Sequence, residues 1–432
     1  MARENIIFIF TDQWRGDCIS AFGHPVVKTP NIDALIEDGM GFQTVTQAPL
    51  CVPARMSLFS GRYTHQHGCL NNGRGFWPWT DNIVRQIRDA GYTTAIRGKL
   101  HLFWRHDNEL LMSDPMLRQF GFTDPMETTG KASQGRLRAS AYTEFLRSRG
   151  KLDKHLKWLW DICHNRTVGV SFGPSILDED EQMDGWIMDR GRDFLREHSG
   201  DERPYMVWIN PEGPHDPFDP PGEWAEMYDP AEVDLPIQQI SEDPIVRGRG
   251  EMHGPDMENE AVMRRMRALY YGNISFIDHK IGQIVGELKE RGEYDDAWIV
   301  FGSDHGEMLG DFYCTTKNNF HLPAVSTPLA VKPPRRLEHC PRGTVSKALV
   351  ELIDVGSTFL DIAGAQIEGD RGKTLLPLLS GAVDPHHHRE VVRSQVNNLH
   401  MLQSDTFKLT YKTEDPRGLD DSLVAAHVID ET

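Results

Sequence analysis

The stretch LCVPARMSLFSGRYTHQHG, residues 50–68, places a thiol beside a proline and an arginine at the start of a predicted helix. Pro53 suits the first turn of a helix, where its missing N–H costs no hydrogen bond, and Gly61 suits a helix end. A helix from about Pro53 to Ser60 would turn its free N–H groups and the positive end of its dipole toward Cys51. That environment favours a thiolate, an oxyanion, or a bound sulfate or phosphate. The alternative, a small buried hydrophobic cysteine, stays open from this stretch alone.

Polar residues also follow four short apolar runs, which we predict to be strands of one sheet. The runs are NIIFIF (5–10), YTTAI (92–96), YMVWIN (205–210) and AWIVFG (297–302). The polar residues just past their ends include Asp12, Lys99, His101, His215, Asp304 and His305. Ligands of open α/β sheets bind beyond the carboxyl ends of the strands. Together these residues therefore predict one composite active site.

Two of these strand ends carry residues that suit a metal ion. Asp12 and Gln13 follow the first run, and Asp304 and His305 follow the last. Carboxylate and amide oxygens are ligands for Ca²⁺, Mg²⁺ or Mn²⁺, and the scattered cysteines offer no thiolate cluster that would select zinc. These four residues predict a site for one hard divalent cation. Taken alone, Asp304-His305 is equally consistent with a helix cap followed by a surface histidine.

The elements around these residues predict an α/β fold. Continuous apolar runs rich in Ile, Val and Phe are typical of strands buried on both faces of a parallel sheet. Segments with helical spacing alternate with them, namely NIDALIEDG, DNIVRQIRDAG and residues 259–290. The alternation of strand and helix predicts a doubly wound, largely parallel sheet flanked by helices.

Two regions depart from this pattern. Residues 102–180 mix charged and aromatic residues with little periodicity, and we interpret them as an insertion that shapes the pocket of a catalytic domain over 1–382. In the last part of the chain, REVVRSQVNNLHMLQSDTFKLTYK shows short alternating runs around a turn at Ser404-Asp405. This pattern predicts a small antiparallel C-terminal subdomain over 383–432.

Composition narrows the class of protein. The chain has 432 residues, 39% hydrophobic and 25% charged, and its formal net charge is −18. That charge argues against broad nucleic-acid binding and against binding to an anionic membrane surface, although a metal ion and a few cations can still hold a small anion in one cleft. The six scattered cysteines predict no disulfide framework. The N-terminal apolar run is too short for a secretory signal or a membrane span, so we expect a cytoplasmic protein.

Several short motifs occur in order along the chain between residues 5 and 320. They are NIIFIFTDQ, TPNIDALIEDGMGF, CVPAR, SGRYTHQHG, GKLH, GPHDPF and FGSDHGEMLGDF, followed by Lys317. CVPAR matches the C-x-P-x-R motif of the sulfatase family, whose cysteine is oxidised to Cα-formylglycine, and the other segments resemble that family's motifs in the family order. Within this alkaline phosphatase-like superfamily, the chain most resembles the branch that contains choline sulfatases and phosphonate monoester hydrolases.

The resemblance implies a sulfuric ester hydrolase that cleaves a small-molecule sulfate ester. In the family the formylglycine aldehyde hydrates to a gem-diol, one oxygen of which attacks sulfur and displaces the alcohol. The remaining hydroxyl then loses its proton, and sulfate is expelled as the aldehyde reforms. Cys51 is accordingly expected to be a precursor, with a formylglycine-generating enzyme as its maturation partner. Whether the chain forms a homo-oligomer is left open.

The resemblance also implies the ligands of the cation. They are Asp12, Gln13, Asp304, His305 and an oxygen of the modified Cys51. Gln13 and His305 replace the acid and the amide found in many family members. Ca²⁺ is the first expectation for the metal and Mg²⁺ an alternative, and Mn²⁺ is a serious competitor because imidazole suits transition metals.

Further roles follow from the same resemblance. Arg55 would neutralise and orient the diol, and His101 would bond to the diol and assist the elimination step. Lys99 and Lys317 would bind the sulfate oxygens, where charge concentrates in the transition state. His215 would protonate the leaving oxygen, a task that suits an imidazole near neutral pH.

The same residues are compatible with other functions. The same site would also suit phosphonate monoesters or phosphodiesters, although the pair Lys99-x-His101 resembles that of sulfatases and favours sulfate. A binding protein without activity is disfavoured, because nucleophile precursor, metal ligands and acid are all present. A hydrolase using the free thiol is disfavoured too, because the neighbours of Cys51 match the oxidation motif. Asn72 would contact the charged group of the substrate, whose alcohol part the sequence does not identify.

Overall fold

The computed structural model describes residues 4–73, 75, 80–102, 114–133, 140–164, 166–241, 254–414 and 423–429. Within these residues, the strands form a nine-stranded mixed sheet and a four-stranded antiparallel sheet. The large sheet contains β1 (Ile6–Thr11), β2 (Met40–Val45), β3 (Thr93–Gly98), β4 (Asp124–Glu127), β5 (Tyr205–Asn210), β6 (Trp298–Ser303), β7 (Ser326–Lys332), β8 (Thr344–Val345) and β9 (Val350–Glu351). The small sheet contains β10 (Val392–Val396), β11 (Leu399–Gln403), β12 (Lys408–Thr413) and β13 (Leu423–Ile429).

The helices of the described residues lie between these strands in the chain. They are α1 (Pro30–Glu37), α2 (Cys51–Ser60), α3 (Thr64–His67), α4 (Ile83–Asp89), α5 (Asp114–Phe120), α6 (Ala141–Ser148), α7 (Leu152–His164), α8 (Met183–Glu197), α9 (Glu260–Glu290), α10 (Leu322–Val325), α11 (Leu352–Ala363) and α12 (Leu376–Leu379). None of these described helices is long and apolar enough to cross a membrane.

The order of the large sheet is β4-β3-β5-β1-β6-β7-β2-β8, with β9 also paired to β2. The strands from β4 to β6 in this order run parallel, whereas β7 is antiparallel to both of its neighbours. In register, Ile6 of β1 lies opposite Met206 of β5 and Trp298 of β6. Because the strands that precede the polar motifs are parallel neighbours, their carboxyl ends meet at one edge, as the sequence predicts.

The large sheet separates two apolar clusters. On β1, Ile7 and Ile9 belong to a cluster that includes residues of α1, α8 and α9. Phe8 and Phe10 belong to a second cluster, which includes residues of α2, α4 and α11. Both faces of the strand are therefore buried, which explains why it reads as a continuous apolar run. The predicted doubly wound, largely parallel α/β fold is confirmed.

Helix α2 carries the cysteine motif and is buried along its whole length. It begins at Cys51 itself, two residues before the predicted start at Pro53. It ends at Ser60, because Gly61 adopts a left-handed conformation (φ 66°) that a glycine accepts without strain. The cysteine thus occupies the first turn of the helix.

The structure agrees with the prediction for only one of the two regions that depart from the α/β pattern. Of the segment 102–180, residues 103–113, 134–139 and 165 lie outside the described residues, and β4 within it pairs with β3 in the large sheet. Residues 124–127 therefore belong to the large sheet, and for them the interpretation of 102–180 as an insertion is wrong. The small C-terminal antiparallel sheet is confirmed, and it packs through Val392, Val396 and Met401 against Val45, Phe320 and Val325. The domain boundary at 382 stays a prediction.

Candidate active site

Five elements deliver the predicted site residues to one edge of the large sheet. Asp12 follows β1, Lys99 and His101 follow β3, His215 follows β5, and Asp304 and His305 follow β6, while α2 brings Cys51 and Arg55. Among these residues Cys51, Lys99, His101 and His215 line a cavity of ≈ 170 Å³, together with Asn72, Lys317 and residues of the segment 127–133. The composite site predicted from the strand ends therefore exists as one place in the fold.

Cys51 is the centre of this site. Its Sγ lies 3.1 Å from Nε2 of His305 and 3.8 Å from Oδ1 of Asp12, and the residue is 2% exposed. Burial, followed by the charge of Asp12, raises the pKa of the Cys51 thiol to about 12. The thiol therefore stays protonated near neutral pH.

Arg55 joins the strand ends on either side of Cys51. Its Nε donates to Oδ2 of Asp304 at 2.8 Å, and an Nη donates to Oδ2 of Asp12 at 3.1 Å. Its other Nη donates to the backbone oxygen of Lys99 at 3.0 Å. The planar guanidinium thereby fixes one oxygen of each carboxylate.

The remaining carboxylate oxygens form a candidate metal site with two other groups. One ligand atom from each of Asp12, Cys51, Asp304 and His305 lies within 4.8 Å of the others, and all four residues are buried. Nδ1 of His305 lies 3.0 Å from the backbone oxygen of Gly306, to which it donates, so the lone pair of Nε2 faces the cluster. Two buried carboxylates and an oriented imidazole suit a divalent cation, so the residues present fit the metal that the motifs imply.

Gln13 is held beside this cluster in a left-handed backbone conformation, with φ 67°. Its backbone N–H donates to Oδ1 of Asp304 at 3.1 Å. Its amide nitrogen donates to Glu307, and its amide oxygen accepts a hydrogen bond from Lys317. The side chain thus reaches the site in contact with two charged residues, and its role as a metal ligand stays a prediction.

The Lys99 ammonium is paired with two buried carboxylates. Nζ lies 2.8 Å from Oδ2 of Asp12 and 3.2 Å from Oε1 of Glu212. Although burial opposes the charge, Asp12 and Glu212 raise the pKa of Lys99 above its ordinary value. Burial alone would raise the pKa of Asp12, but the charges of Lys99 and Arg55 hold it well below the usual range. The site therefore contains a preorganised set of charges at neutral pH.

Lys317 and His215 form a pair on the other side of the cavity. Nζ of Lys317 donates to Nε2 of His215 at 2.9 Å, while Nδ1 of His215 lies 2.9 Å from the backbone oxygen of Asp216, to which it donates. Burial and the neighbouring Lys317 charge lower the pKa of His215 well below its ordinary value. The imidazole is therefore neutral, and the proton between the two groups resides on Lys317.

His101 and Asn72 complete the predicted set. Burial and the Lys99 charge lower the pKa of His101, whose backbone φ of 53° lies in the left-handed region. Among the described residues, Nδ1 of His101 has no hydrogen-bond partner. Asn72 accepts a hydrogen bond from the backbone N–H of Val52 at 3.1 Å, so it satisfies a free donor of the first turn of α2. Its predicted contact with substrate stays a prediction.

Sequence reasoning missed two buried carboxylates, Glu212 and Glu307. Glu212 follows β5 in NPEGPHDPF, three residues before His215, and Glu307 follows β6 in SDHGE. Both obey the strand-end rule that located the other residues. They were overlooked because a lone glutamate in a loop is usually solvated, whereas these two are 2% and 0% exposed.

Comparisons with known proteins place the chain in a family. The family model described as Sulfatase matches residues 4–365. The chain is 29% identical over 374 residues to an arylsulfatase of Clostridium perfringens, which covers 84% of this chain and 76% of the relative. It is 25% identical over 439 residues to a choline-sulfatase of Rhizobium meliloti. That alignment covers 97% of this chain and 80% of the relative. A phosphonate monoester hydrolase structure from Agrobacterium radiobacter matches with a TM-score of 0.79 and 25% identity, covering 99% of this chain and 89% of that one.

Proposed function

The chain belongs to the sulfatase family and is a sulfuric ester hydrolase, and we propose that its reaction takes place in the cavity lined by Cys51. The observation that carries this proposal is the position of Sγ of Cys51, between Asp12 and His305 and at the first turn of α2. A nucleophile formed from this side chain would adjoin both the candidate metal site and the lysines that suit an anion.

We propose that Cys51 is converted to Cα-formylglycine by a formylglycine-generating enzyme. Hydrated formylglycine and a bound divalent cation would supply an activated oxygen nucleophile and a Lewis acid. Asp12, Asp304 and His305 would hold the cation, with Gln13 as a further ligand. Ca²⁺ is the metal we propose first, and the imidazole of His305 makes Mn²⁺ the main alternative.

The residues of the chain would orient the ester and neutralise its charge. Lys99 and Lys317 both line the cavity, where their ammonium groups suit the sulfuryl oxygens. Arg55 is held by Asp12 and Asp304 and would orient the modified side chain, which lies one turn earlier on α2. Buried ion pairs fix Lys99 and Arg55, and hydrogen bonds to Gln13 and His215 fix Lys317, so little reorganisation is needed in the transition state.

The proton for the leaving alcohol would come from His215, the partner of Lys317. A neutral His215 whose Nδ1 donates to Asp216 has no proton of its own at Nε2. Lys317 donates to that nitrogen in the free enzyme. A bound ester anion would draw the Lys317 ammonium to its own oxygens, and His215, protonated from solvent, would then pass a proton from Nε2 to the leaving oxygen. His101, which lines the same cavity, would accept a proton in the elimination that releases sulfate.

The Lys99→Ala variant is expected to lose about a hundredfold in kcat/KM for a sulfate monoester, because one preorganised contact to the transition state is removed. Steady-state kinetics with 4-nitrophenyl sulfate measure the change. Lys347→Ala removes an exposed lysine outside the site and serves as the matched control. A Lys99→Ala variant with the kinetics of the control would contradict the assigned role.

A second candidate function is hydrolysis of phosphonate monoesters at the same site, favoured by the similarity to the phosphonate monoester hydrolase structure. One purified, matured batch should be assayed with sulfate, phosphonate and phosphodiester substrates that share a leaving group. We expect the highest kcat/KM for a sulfate ester, with slower turnover of the phosphorus esters. A kcat/KM far higher for phosphonate monoesters than for every sulfate tested would favour the second function.

A further inference from the structure

Glu212 is a carboxylate in the wall of the cavity that the proposed chemistry does not use. It is 2% exposed and lines the cavity beside Cys51, Lys99 and His215. Asp12 and Asp304 also carry negative charge, but a bound cation would offset theirs. Glu212 therefore leaves an extra negative charge at the place where the acid group of a substrate must lie.

The position of this carboxylate is built into the fold. Oε1 accepts a hydrogen bond from Nζ of Lys99 at 3.2 Å, and Oε2 accepts one from the backbone N–H of Lys131. The next residue, Gly213, donates its backbone N–H to Oδ1 of Asp184 at 2.8 Å. Gly130 leaves the space that Glu212 occupies, because a Cβ at that position would lie 2.7 Å from Oε1. Groups from separate segments of the chain thus hold the Glu212 carboxylate against the ammonium of Lys99.

The charge of Glu212 acts differently on different acid groups. A sulfate monoester and a phosphonate monoester each carry one negative charge, whereas a phosphate monoester carries nearly two above its second pKa of about 6. Lys99 and Lys317 favour all three anions. The carboxylate of Glu212 repels the second charge of the phosphate monoester. This repulsion is stronger in a buried cavity than it would be in water, because the local dielectric constant is low.

We propose that Glu212 is a specificity-determining residue that selects monoanionic esters and disfavours dianionic phosphate monoesters. This inference rests on the proposed function, since it places the ester in the cavity around Cys51. It makes phosphonate monoesters better secondary substrates than phosphate monoesters. The selection depends on charge and not on whether the central atom is sulfur or phosphorus.

The test compares three esters of 4-nitrophenol with the matured, metal-loaded enzyme at pH 8: the sulfate, the phenylphosphonate and the phosphate. Burial, followed by the opposing Lys99 charge, leaves the pKa of Glu212 at about 7, so the wild-type carboxylate is mostly ionised in this assay. In Glu212→Gln and Glu212→Ala, the phosphate-to-phosphonate ratio of kcat/KM is expected to rise by about tenfold. The phosphonate-to-sulfate ratio is expected to stay within about twofold, because both substrates are monoanions.

Two further variants separate charge from shape. Glu212→Asp keeps the charge, so it should retain the wild-type discrimination even if all three rates fall. Asp219 is a second buried carboxylate that contacts Lys131, in this case through the ammonium, but it does not line the cavity. Asp219→Asn should therefore leave both kcat/KM ratios unchanged. A phosphate-to-phosphonate ratio that is unchanged in both Glu212→Gln and Glu212→Ala would overturn the proposal. An equal ratio in Glu212→Asp and Glu212→Gln would overturn it too, because only the first of these keeps the charge.

The two proposals fail in different ways. Turnover of phosphorus esters with no turnover of sulfate would contradict the assignment of sulfate as the preferred class, yet the phosphate-to-phosphonate ratio would still test Glu212. An enzyme that turned over none of the three esters would contradict both. Melting temperatures of the variants show whether each one folds, and a neutral variant that folds is sufficient for the test.

Discussion

The Cys51→Ala variant is expected to fold and to lose at least about 10⁴-fold in turnover of sulfate esters, because the only proposed nucleophile arises from this side chain. Alanine suits the first turn of α2, and the substitution removes a single buried sulfur atom. The other metal ligands and the lysines stay in place, so binding of anions should persist. Kinetics with 4-nitrophenyl sulfate and the melting temperature together measure the two effects.

A matched control for this variant is Cys340→Ala, which removes a buried thiol that does not line the active-site cavity. It should retain turnover, although its melting temperature falls by a few degrees if the cavity left behind does not collapse. Full activity in Cys51→Ala would rule out a nucleophile derived from Cys51.

The second large effect is expected from Asp304→Ala or Asp12→Ala, each of which should abolish metal retention and turnover together. Each variant removes a carboxylate from the buried cluster and also leaves Arg55 without one of its two acidic partners. Elemental analysis of the dialysed protein measures the metal content per chain, and it also decides between Ca²⁺ and Mn²⁺. Kinetics on the same samples measure turnover.

The control for the metal variants is Asp311→Asn, which alters a buried carboxylate paired with Arg15 and Arg267 outside the cluster. It should keep the metal content of the wild type. If chelated, metal-free wild-type protein remained fully active, the assignment of a metal-dependent reaction would fail.

Most of the site could be predicted because its residues follow strands that are buried on both faces. The runs before Asp12 and Asp304 are almost entirely apolar, so their ends can be read directly from the sequence, whereas the run before Lys99 is shorter and contains Thr93 and Thr94. A parallel arrangement then places the ends of neighbouring strands at one edge. The N-terminal position of Cys51 on α2 could be predicted too, because Pro53 and Gly61 mark the ends of that helix.

The contacts between these residues could not be predicted, because they depend on long-range geometry. Lys99 and Glu212 are 113 positions apart in the chain and become partners only because β3 and β5 are neighbours. Gln13 carries an amide that suits a metal, but the sequence does not show that Lys317 bonds to its oxygen. Strand β4 was missed because it is short and half-buried at the sheet edge, and therefore has no continuous apolar run.

The central claim, that Cys51 is the precursor of formylglycine in a sulfatase, is tested most directly by peptide mass spectrometry. The tryptic peptide 29–55 contains Cys51 as its single cysteine and ends at Arg55. After co-expression with a formylglycine-generating enzyme, we expect this peptide to have lost its sulfur and two hydrogens and gained one oxygen, or to carry the hydrate of that aldehyde. The converted fraction should rise in proportion to sulfate turnover. An active preparation in which every copy of this peptide retains the thiol would contradict the account.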